Sequence, residues 1–535
     1  MTHGRVAAVL LLGAWGGLVS GCTDGASGGD GGADAGPADA GRPATAAELC
    51  DSEADPGPYP APDGWEANAG PGAPEVSFST EELYEKCAFL NGGPMDTTDH
   101  HNLLTMYDGY LLMPWAPEFG KGGLTFWDIS EPCSPQVVGS GFSEEMRETH
   151  AIGFSSLGGR WAVVDSLTGI LEVGGGGVQF WDVSDVTSPR AVSNLDVPTF
   201  AYPDAYANVT LSVFWQVPYV YIAGADAGVY IADATDPENP VLLGRHEFDP
   251  ILRVGQVQAV GNLLIVTAAE GPRTALLDIS DPAHPMPIPG GDFLATDGDG
   301  NPREAYFTNT AGGYVFYARK EGAGGVFVWD IRDPQSPAFA GEAISDGNGG
   351  YVFVKDDHAF VGESSFAAIY DISDLSDIRE VTRLDLTGDL DTITPIGNLV
   401  VLSVDEGADP GEGSAIAPWQ AEPDTQAPAV TWSWPADGAT GVPTTSRVGV
   451  TFSEFVDVKS AWEGSVRLYE TGEDPDATRV DGVVSAQEVI VNFHPRCPLK
   501  PATRYTLEIP AGGVVDFNGN AVAEPFTMTF TTGGG

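Results

Sequence analysis

Acidic and imidazole side chains stand at or just before the points where strand-like runs of this sequence begin. The residues of this kind that bear on a binding site are His101, His150, Asp204, Glu304 and Asp391. Imidazole nitrogens and carboxylate oxygens coordinate divalent cations, and together they also suit a cationic or sugar-like ligand. We predict that these side chains ring one mouth of a central channel. The alternative is a solvated, polar channel that binds no ligand.

Signatures of common enzymes are absent from the predicted domains of the sequence. Its Gly-x-Ser-x-Gly match, at residues 25–29, lies in the expected flexible tether, where no strand precedes it to form a nucleophile elbow. The sequence contains no His-Glu-x-x-His motif and no phosphate-binding glycine loop. These signatures are typical of hydrolases, zinc proteases and nucleotide-binding enzymes. We therefore favour a non-enzymatic protein without an obligatory cofactor. The alternative hypothesis is a metal-dependent enzyme that binds a divalent cation at the channel mouth through His101 and His150.

Two short loops resemble calcium-binding sequences. Residues 297–301, Asp-Gly-Asp-Gly-Asn, alternate oxygen-bearing side chains but lack the later glutamate of a calcium loop. Residues 516–520 contain Asn-Gly, the preferred pair of a hairpin turn. We interpret both loops as turns.

The elements that must position these residues are repeats. Residues 325–337 combine an apolar run of β-branched and aromatic residues with an Asp-Pro-x-x-Pro segment that cannot continue a β-ladder. Similar units recur, each with an aspartate after the apolar run. These aspartates are Asp128, Asp182, Asp233, Asp278, Asp330 and Asp371. We interpret them as structural, because such a carboxylate accepts hydrogen bonds from nearby backbone N–H groups and fixes the turn that follows.

The spacing of the repeats predicts a β-propeller. Successive aspartates lie about 40 to 55 residues apart, which is room for the four short strands of one blade. Six such units and seven candidate inner strands indicate seven blades, with the third inner strand expected at 205–211. The last blade, about 388–421, lacks the aspartate turn. We expect residues 75–78 to supply its outer strand, because a closed ring leaves no blade edge unpaired.

The repeat units resemble bacterial LVIVD repeats, which form β-propellers in surface and periplasmic proteins. The resemblance covers about residues 98–421 and rests on the pattern of an apolar strand followed by Asp-Ile-Ser-Asp-Pro-x-x-Pro. It implies a fold but not a ligand. We assign residues 75–423 to the propeller of an all-β protein.

A second all-β domain is predicted over residues 424–535. Apolar and polar residues alternate there at strand period over several short runs, which is typical of a β-sandwich. The motifs Phe-Ser-Glu-Phe-Val at 452–456, Leu-Lys-Pro-Ala-Thr-Arg-Tyr at 499–505 and Asp-Phe-Asn-Gly-Asn at 516–520 resemble the bacterial Ig-like domain of surface-layer and secreted proteins. The resemblance implies a spacer or an adhesion module.

The N-terminal residues have the pattern of an export signal. Arg5 precedes an apolar run that is too short to span a membrane, and Leu-Val-Ser-Gly-Cys follows at 18–22. Residues 1–21 resemble the signal peptide of bacterial lipoproteins, which implies a lipid on Cys22 that anchors the protein in a membrane. Residues 22–74 are expected to form a flexible tether and lead-in. The expected location is the cell envelope, at either face of the outer membrane.

Four cysteines besides Cys22 lie in a compartment where disulfides form. They are Cys50, Cys87, Cys133 and Cys497. We favour a bond between Cys50 and Cys87, which would fasten the lead-in. A bond between Cys87 and Cys133 is the main alternative, and no Cys-x-x-Cys spacing indicates zinc.

The charge balance restricts the partners. The chain has 24 basic and 76 acidic residues, a formal net charge of −52. Nucleic acids and anionic bilayers are bound through clustered Lys and Arg, so we exclude them as partners of the protein surface. We expect a protein or polysaccharide partner in the envelope, and contact with the membrane through the Cys22 lipid.

Overall fold

The computed structural model describes residues 78–89, 103–116, 121–146, 152–155, 161–166, 176–197, 210–320, 322–405 and 407–534. These residues form β-strands with short 3-10 turns at Thr80–Glu82, Leu375–Asp377 and Val458–Ser460. They include no helix that is long and apolar enough to cross a membrane. The predictions on Cys22, Cys50, His101, His150 and Asp204 lie outside the described residues.

The strands before residue 424 are short and follow one another closely. In chain order they begin with β1 (Cys87–Phe89), β2 (Thr105–Tyr107), β3 (Tyr110–Trp115), β4 (Gly123–Asp128), β5 (Gln136–Phe142), β6 (Ile152–Ser155), β7 (Trp161–Ser166), β8 (Gly177–Asp182) and β9 (Arg190–Asp196). They continue with β10 (Ser212–Gln216), β11 (Tyr219–Ala223), β12 (Val229–Asp233), β13 (Val241–His246), β14 (Val254–Val260), β15 (Leu263–Ala268), β16 (Arg273–Asp278), β17 (Met286–Leu294), β18 (Glu304–Ala311) and β19 (Tyr314–Lys320). The last are β20 (Gly325–Asp330), β21 (Ala338–Ile344), β22 (Val352–Lys355), β23 (His358–Gly362), β24 (Ala367–Asp371), β25 (Arg379–Leu384), β26 (Thr392–Ile396), β27 (Leu399–Ser403) and β28 (Ser414–Pro418).

Groups of four antiparallel strands form the blades of a propeller. The described residues contain seven such units: β2 to β5, β6 to β9, β10 to β13, β14 to β17, β18 to β21, β22 to β25, and β26 to β28 with β1. First strands of neighbouring units contact one another, as β14 contacts β10 and β18, so they line the centre of the ring. Fourth strands such as β5 and β21 are largely exposed. The all-β propeller predicted from the repeats is confirmed.

The repeat aspartates have the structural role that the sequence predicts. Each ends the third strand of its unit and accepts the backbone N–H two residues further on. Ser373, for example, donates to Asp371 from its backbone N at 2.9 Å and from its hydroxyl at 2.6 Å. The same backbone bond is made to Asp128, Asp182, Asp233, Asp278 and Asp330. These bonds hold the turn that leads into the fourth strand.

The ring closes with a strand from the lead-in, but not with the residues that we expected. β1 pairs antiparallel with β28, with Cys87 opposite Ile416. The prediction of residues 75–78 is wrong: Phe78 is a bend, and residues 75–77 lie outside the described part. The 3-10 turn at Thr80–Glu82 follows Phe78, and pairing with β28 begins only at Cys87.

The prediction of a disulfide between Cys50 and Cys87 is also wrong. Cys87 is bonded to Cys133, and their Cα atoms are 5.0 Å apart. Ring closure explains this pairing, because β1 belongs to the last unit, next to the first, and Cys133 lies in the turn between β4 and β5 of the first unit. Cys497 is disulfide-bonded as well.

The C-terminal domain is a two-sheet sandwich, as predicted. One sheet has the order β29-β31-β34-β33 and the other β30-β36-β35-β32. Large side chains from both sheets, including Phe493, Tyr505 and Phe530, are buried between them. The strands are β29 (Val430–Trp434), β30 (Ala439–Val442), β31 (Val448–Phe452), β32 (Arg467–Glu470), β33 (Gly482–Gln487), β34 (Ile490–Pro495), β35 (Arg504–Ile509) and β36 (Phe526–Thr532).

The sandwich is joined to the propeller by a shared sheet. β33 pairs with the inner strand β6, with Ser485 opposite Ser155 and Ala486 opposite Phe154. One eight-stranded sheet therefore runs from the sandwich through the second blade. Backbone pairing of this kind fixes the orientation of the two domains.

The sandwich covers the side of the propeller where the inner strands end. It contacts the turns that follow β2, β14, β18, β22 and β26. The backbone bonds at four of them are Gly109 N to Asp457 at 2.8 Å, Gly261 N to Asn492 Oδ1 at 2.7 Å, Gly312 N to Thr451 Oγ1 at 3.1 Å and Asp356 N to Ser453 O at 2.6 Å. We call this side, defined by these turns and Gly397, the covered face. The opposite side, where the inner strands begin, we call the entry mouth.

Two of these turns require glycine because the domains approach so closely. Gly261 has φ +56°, and a Cβ there would collide with the carbonyl oxygen of Trp434. Gly397 has φ +59°, and a Cβ there would collide with the side chain of Asn518. Both positions combine a left-handed backbone with contact to the sandwich, and glycine meets both demands.

Candidate functional site at the entry mouth

Two of the predicted site residues are described, and both lie at the entry mouth. Glu304 is the first residue of β18, and Asp391 directly precedes β26. His101, His150 and Asp204 lie outside the described residues, so the predicted ring of ligands stays a prediction. The described third inner strand is Ser212–Gln216, and the role expected for Asp204 stays a prediction.

Asp391 belongs to a group of three carboxylates. One oxygen from each of Asp389, Asp391 and Asp405 lies within 4.8 Å of the others, a spacing that could hold a metal ion. The backbone holds the group together, because the N–H groups of Asp391 and Asp405 both donate to the carbonyl of Asp389, at 3.0 and 2.8 Å. Sequence reasoning missed Asp405 because it follows a second strand, which returns to the same end of the ring.

A buried tyrosine lies beside these acids. The backbone N–H of Tyr351 donates to the carbonyl of Asp391 at 2.9 Å, and its ring stacks on Phe307 at a centroid distance of 4.0 Å. Burial raises the pKa of Tyr351 well above its ordinary value, and the nearby Tyr306, Asp165, Asp391 and Asp405 raise it further. The phenol therefore stays protonated. The described part of the mouth thus places three carboxylates beside buried aromatic rings, and the carboxylates suit a cationic group.

Glu304 does not join the aspartate group. It lies opposite Lys320 in the pairing of β18 with β19. The ammonium of Lys320 is 4.0 Å from the centroid of the Tyr306 ring and 3.9 Å from a carboxylate oxygen of Glu270. Glu304 is thus placed among mixed charges, whereas Asp391 is placed among acids.

The covered face closes the other end of the channel. Glu488, at the tip of the hairpin between β33 and β34, accepts hydrogen bonds from Gln258 at 2.8 Å and Asn309 at 2.5 Å, which lie on the inner strands β14 and β18. Burial raises the pKa of Glu488 to about 7, although the bonds from Asn309 and Gln258 lower it. The sandwich therefore inserts an acid into the channel from the side opposite the entry mouth.

A second group of buried carboxylates lies on the covered face, and a lysine occupies its centre. Lys355, at the end of β22, is 2.6 Å from Glu454 and 2.7 Å from Asp424 in the sandwich, and 2.9 Å from its neighbour Asp356. Burial works to lower the pKa of Lys355, but the charges of Glu454, Asp356 and Asp424 outweigh burial and raise it. Burial also raises the pKa of Glu454. No local sequence motif indicates this junction, because its partners lie far apart in the chain.

The two calcium-like loops are turns in which the first aspartate is bonded internally. Asp297 accepts the N–H of Asn301 at 2.8 Å and the Nε of Arg303 at 2.7 Å. Burial works to raise the pKa of Asp297, but these bonds lower it to about 2. In the other loop, Asp516 accepts the N–H groups of Asn518 and Asn520, both at 2.8 Å.

Comparisons with known proteins agree with both domains. The family model of the bacterial Ig-like domain matches residues 424–532, and that of the LVIVD repeat matches residues 218–247. The chain therefore carries an LVIVD-type β-propeller and a bacterial Ig-like domain, as the sequence motifs indicated. No curated protein matches the chain.

Solved structures with a similar fold are remote in sequence. The periplasmic gluconolactonase of Pseudomonas aeruginosa is 10% identical, with 56% of this chain and 85% of that chain covered and a TM-score of 0.43. BamB of Moraxella catarrhalis is 11% identical, with 59% and 92% covered and a TM-score of 0.37. The β-propeller domain of Cps50 from Myceliophteria thermophila is 12% identical, with 62% and 98% covered and a TM-score of 0.42. These similarities are too low to transfer an activity.

Proposed function

We propose that this protein is a non-enzymatic, lipid-anchored protein of the cell envelope whose propeller is a rigid recognition platform. The Ig-like domain supports that platform from the covered face, opposite the entry mouth. The Cys22 lipid, suggested by the N-terminal sequence, would hold the protein at the outer membrane. The partner would be a protein or a polysaccharide of the envelope.

The observation that carries this proposal is the covering of one propeller face by the Ig-like domain. Turns of several blades donate hydrogen bonds to the sandwich, and one β-sheet continues from the sandwich into the second blade. In addition, Glu488 of the sandwich is bonded to an inner strand of the propeller. An Ig-like domain with this many contacts to the propeller is not a flexible spacer. The docked pair instead presents the entry mouth in a fixed orientation, which lowers the entropy cost of binding a partner.

A capture experiment with matched charge changes tests the proposal. The full chain and its Glu304→Lys variant would be used to capture partners from envelope extracts, with Glu524→Lys as the control, because Glu524 is exposed on the Ig-like domain. We expect the Glu304→Lys variant to retain less than a tenth of a specific partner and the control to retain all of it. Equal capture by all three proteins would contradict a platform at the entry mouth.

The anchor needs its own test. Cys22→Ser should move the protein from the membrane fraction to the soluble fraction. Unchanged membrane partitioning would contradict lipid anchoring.

One observation favours the alternative, a metal-dependent envelope enzyme. This is the grouping of Asp389, Asp391 and Asp405 at the same mouth as the predicted His101 and His150. Metal analysis of the purified full chain separates the two functions. A stoichiometric divalent metal that is lost in His101→Ala/His150→Ala would favour the enzyme, and its absence would favour the platform.

A further inference from the structure

A cavity of about 410 Å³ lies at the edge of the covered face, between the propeller and the Ig-like domain. The propeller contributes Tyr219, at the start of β11, and the turn after β16. The Ig-like domain contributes Thr445, Arg447 and His494. Cavities of this size between domains commonly bind small molecules. This cavity is separate from the entry mouth, so the inference is independent of the proposed function.

Arg447 is a buried cation without a carboxylate partner among the described residues. Its exposed fraction is 1%. Its guanidinium donates to the carbonyl of Ile279 and lies 5.9 Å from the centroid of the Tyr219 ring, but its Nε has no hydrogen-bond partner in the described part of the chain. A buried charge is costly unless an opposite charge compensates it. The side chain of Tyr221 also interacts with Arg447, but no carboxylate among the described residues neutralises the charge of Arg447, which indicates space for an anion.

His494 provides a hydrogen-bond acceptor for the ligand. Burial and, to a smaller extent, the charge of Arg447 lower the pKa of His494 to about 3, while a hydrogen bond to the backbone of Val217 works in the opposite direction. Its Nδ1 has no partner among the described residues, so the bond to Val217 uses Nε2–H. The neutral ring therefore keeps a lone pair on Nδ1, which accepts a hydrogen bond from a hydroxyl group.

Among the described residues that line the cavity, Asp281 is the carboxylate, and it is bonded within its own turn. Asp281 accepts the N–H of Ala283 at 3.2 Å and contacts the ring of His284 at 2.9 Å. Tyr219 stacks on His494 at a centroid distance of 5.8 Å and adds an aromatic wall. The cavity thus combines a cation, a hydroxyl acceptor and a flat apolar surface.

We propose that this cavity binds a hydroxylated carboxylic acid of the sugar-acid class. The carboxylate pairs with Arg447, a hydroxyl donates to Nδ1 of His494, and the sugar ring lies against Tyr219. The ligand is either a free sugar acid or the end of an acidic polysaccharide, because both present the same groups.

Calorimetry with glucuronate and the full chain tests the site. We expect glucuronate to bind at least tenfold more tightly than acetate, which lacks the hydroxyls, and glucose, which lacks the charge, not to bind measurably. An oligosaccharide that ends in glucuronate distinguishes the sources: tighter binding than the monomer indicates a polysaccharide end, and weaker binding indicates a free acid. Failure of glucuronate and of the oligosaccharide to bind would overturn the proposal.

Variants locate the site. Arg447→Gln removes the buried cation and leaves the second arginine of the lining, Arg496, in place. Because Arg447 is buried, Thr445→Glu provides a second route that leaves the core intact. Thr445 is exposed at the cavity, so a glutamate there competes for Arg447 and should weaken glucuronate binding at least tenfold. The control Thr387→Glu adds the same charge at an exposed site on the propeller and should change the affinity less than twofold. Equal weakening by both glutamates would overturn the assignment to this cavity.

Discussion

The described residues include two groups of three carboxylates, and the position of each group relative to the Ig-like domain separates their roles. The groups are Asp424, Glu454 and Asp516 on the covered face, and Asp389, Asp391 and Asp405 at the entry mouth. The first group comes from the Ig-like domain and receives Lys355 from the propeller. The second comes from the last blade alone. The first group therefore receives this counter-charge only when the two domains are docked, whereas the second group lies within one blade.

Replacing Lys355 should have the largest effect on the free energy of unfolding. Lys355→Met leaves buried carboxylates without their counter-charge, and we expect the free energy of unfolding to fall by about 3–5 kcal/mol. Urea denaturation measures this loss.

The control is Lys500→Met. Lys500 pairs with Glu470, but its side chain is 71% exposed, against 3% for Lys355, so its loss should cost far less stability than the loss of Lys355. Equal effects of the two substitutions would mean that the lysine on the covered face does not hold the domains together.

Removing the disulfide between the last and the first blade should cause the next largest loss of stability. Cys133→Ser removes the disulfide that fastens β1 beside the first unit, and loss of such a bond typically costs about 2–4 kcal/mol. Cys87→Ser should have the same effect, and the double substitution should cost no more than either one. Additive losses in urea denaturation would show that the two cysteines act separately.

The buried side chain of Glu488 should make the stability of the protein depend on pH. The pKa of Glu488 is raised to about 7 in the folded protein, above the value of about 4.3 of an unfolded glutamate. The folded state therefore binds more protons between these values, so this contribution to stability is present at low pH and is lost as the pH rises towards 7 and beyond.

Glu488→Gln removes this dependence while keeping an acceptor for Gln258 and Asn309. We expect the variant to match the wild type at pH 5 and to be more stable by about 1–2 kcal/mol at pH 8, measured by urea denaturation at each pH. A variant that is less stable at pH 8 would contradict the buried position of this acid.

The smallest effect is expected at the entry mouth. Asp389→Asn removes one of three neighbouring negative charges, so in metal-free buffer the free energy of unfolding should rise or stay within about 1 kcal/mol of the wild type. This sign is opposite to that of Lys355→Met. A clear loss of stability would show that the group at the entry mouth is also a structural junction.

Local sequence patterns predicted the elements but not the contacts between them. The Asp-x-Ser turns identified the blades, because a turn depends on residues close together in the chain. The bond between Cys87 and Cys133 and the contacts of Lys355 depend on ring closure and domain docking, which bring distant residues together and leave no local pattern. At the candidate site, Asp391 was predicted from its place before an inner strand, whereas Asp405 was missed because it follows the end of the neighbouring strand.

The most direct test of the covered face is amide hydrogen exchange on the full chain. The N–H groups of Gly109, Gly261 and Gly312 donate to acceptors in the Ig-like domain. We predict that these turns exchange slowly in the wild type and faster in Lys355→Met, while the outer turn around Ser134 exchanges at the same rate in both. Rapid exchange at all three glycines in the wild type would contradict docking of the Ig-like domain on the propeller.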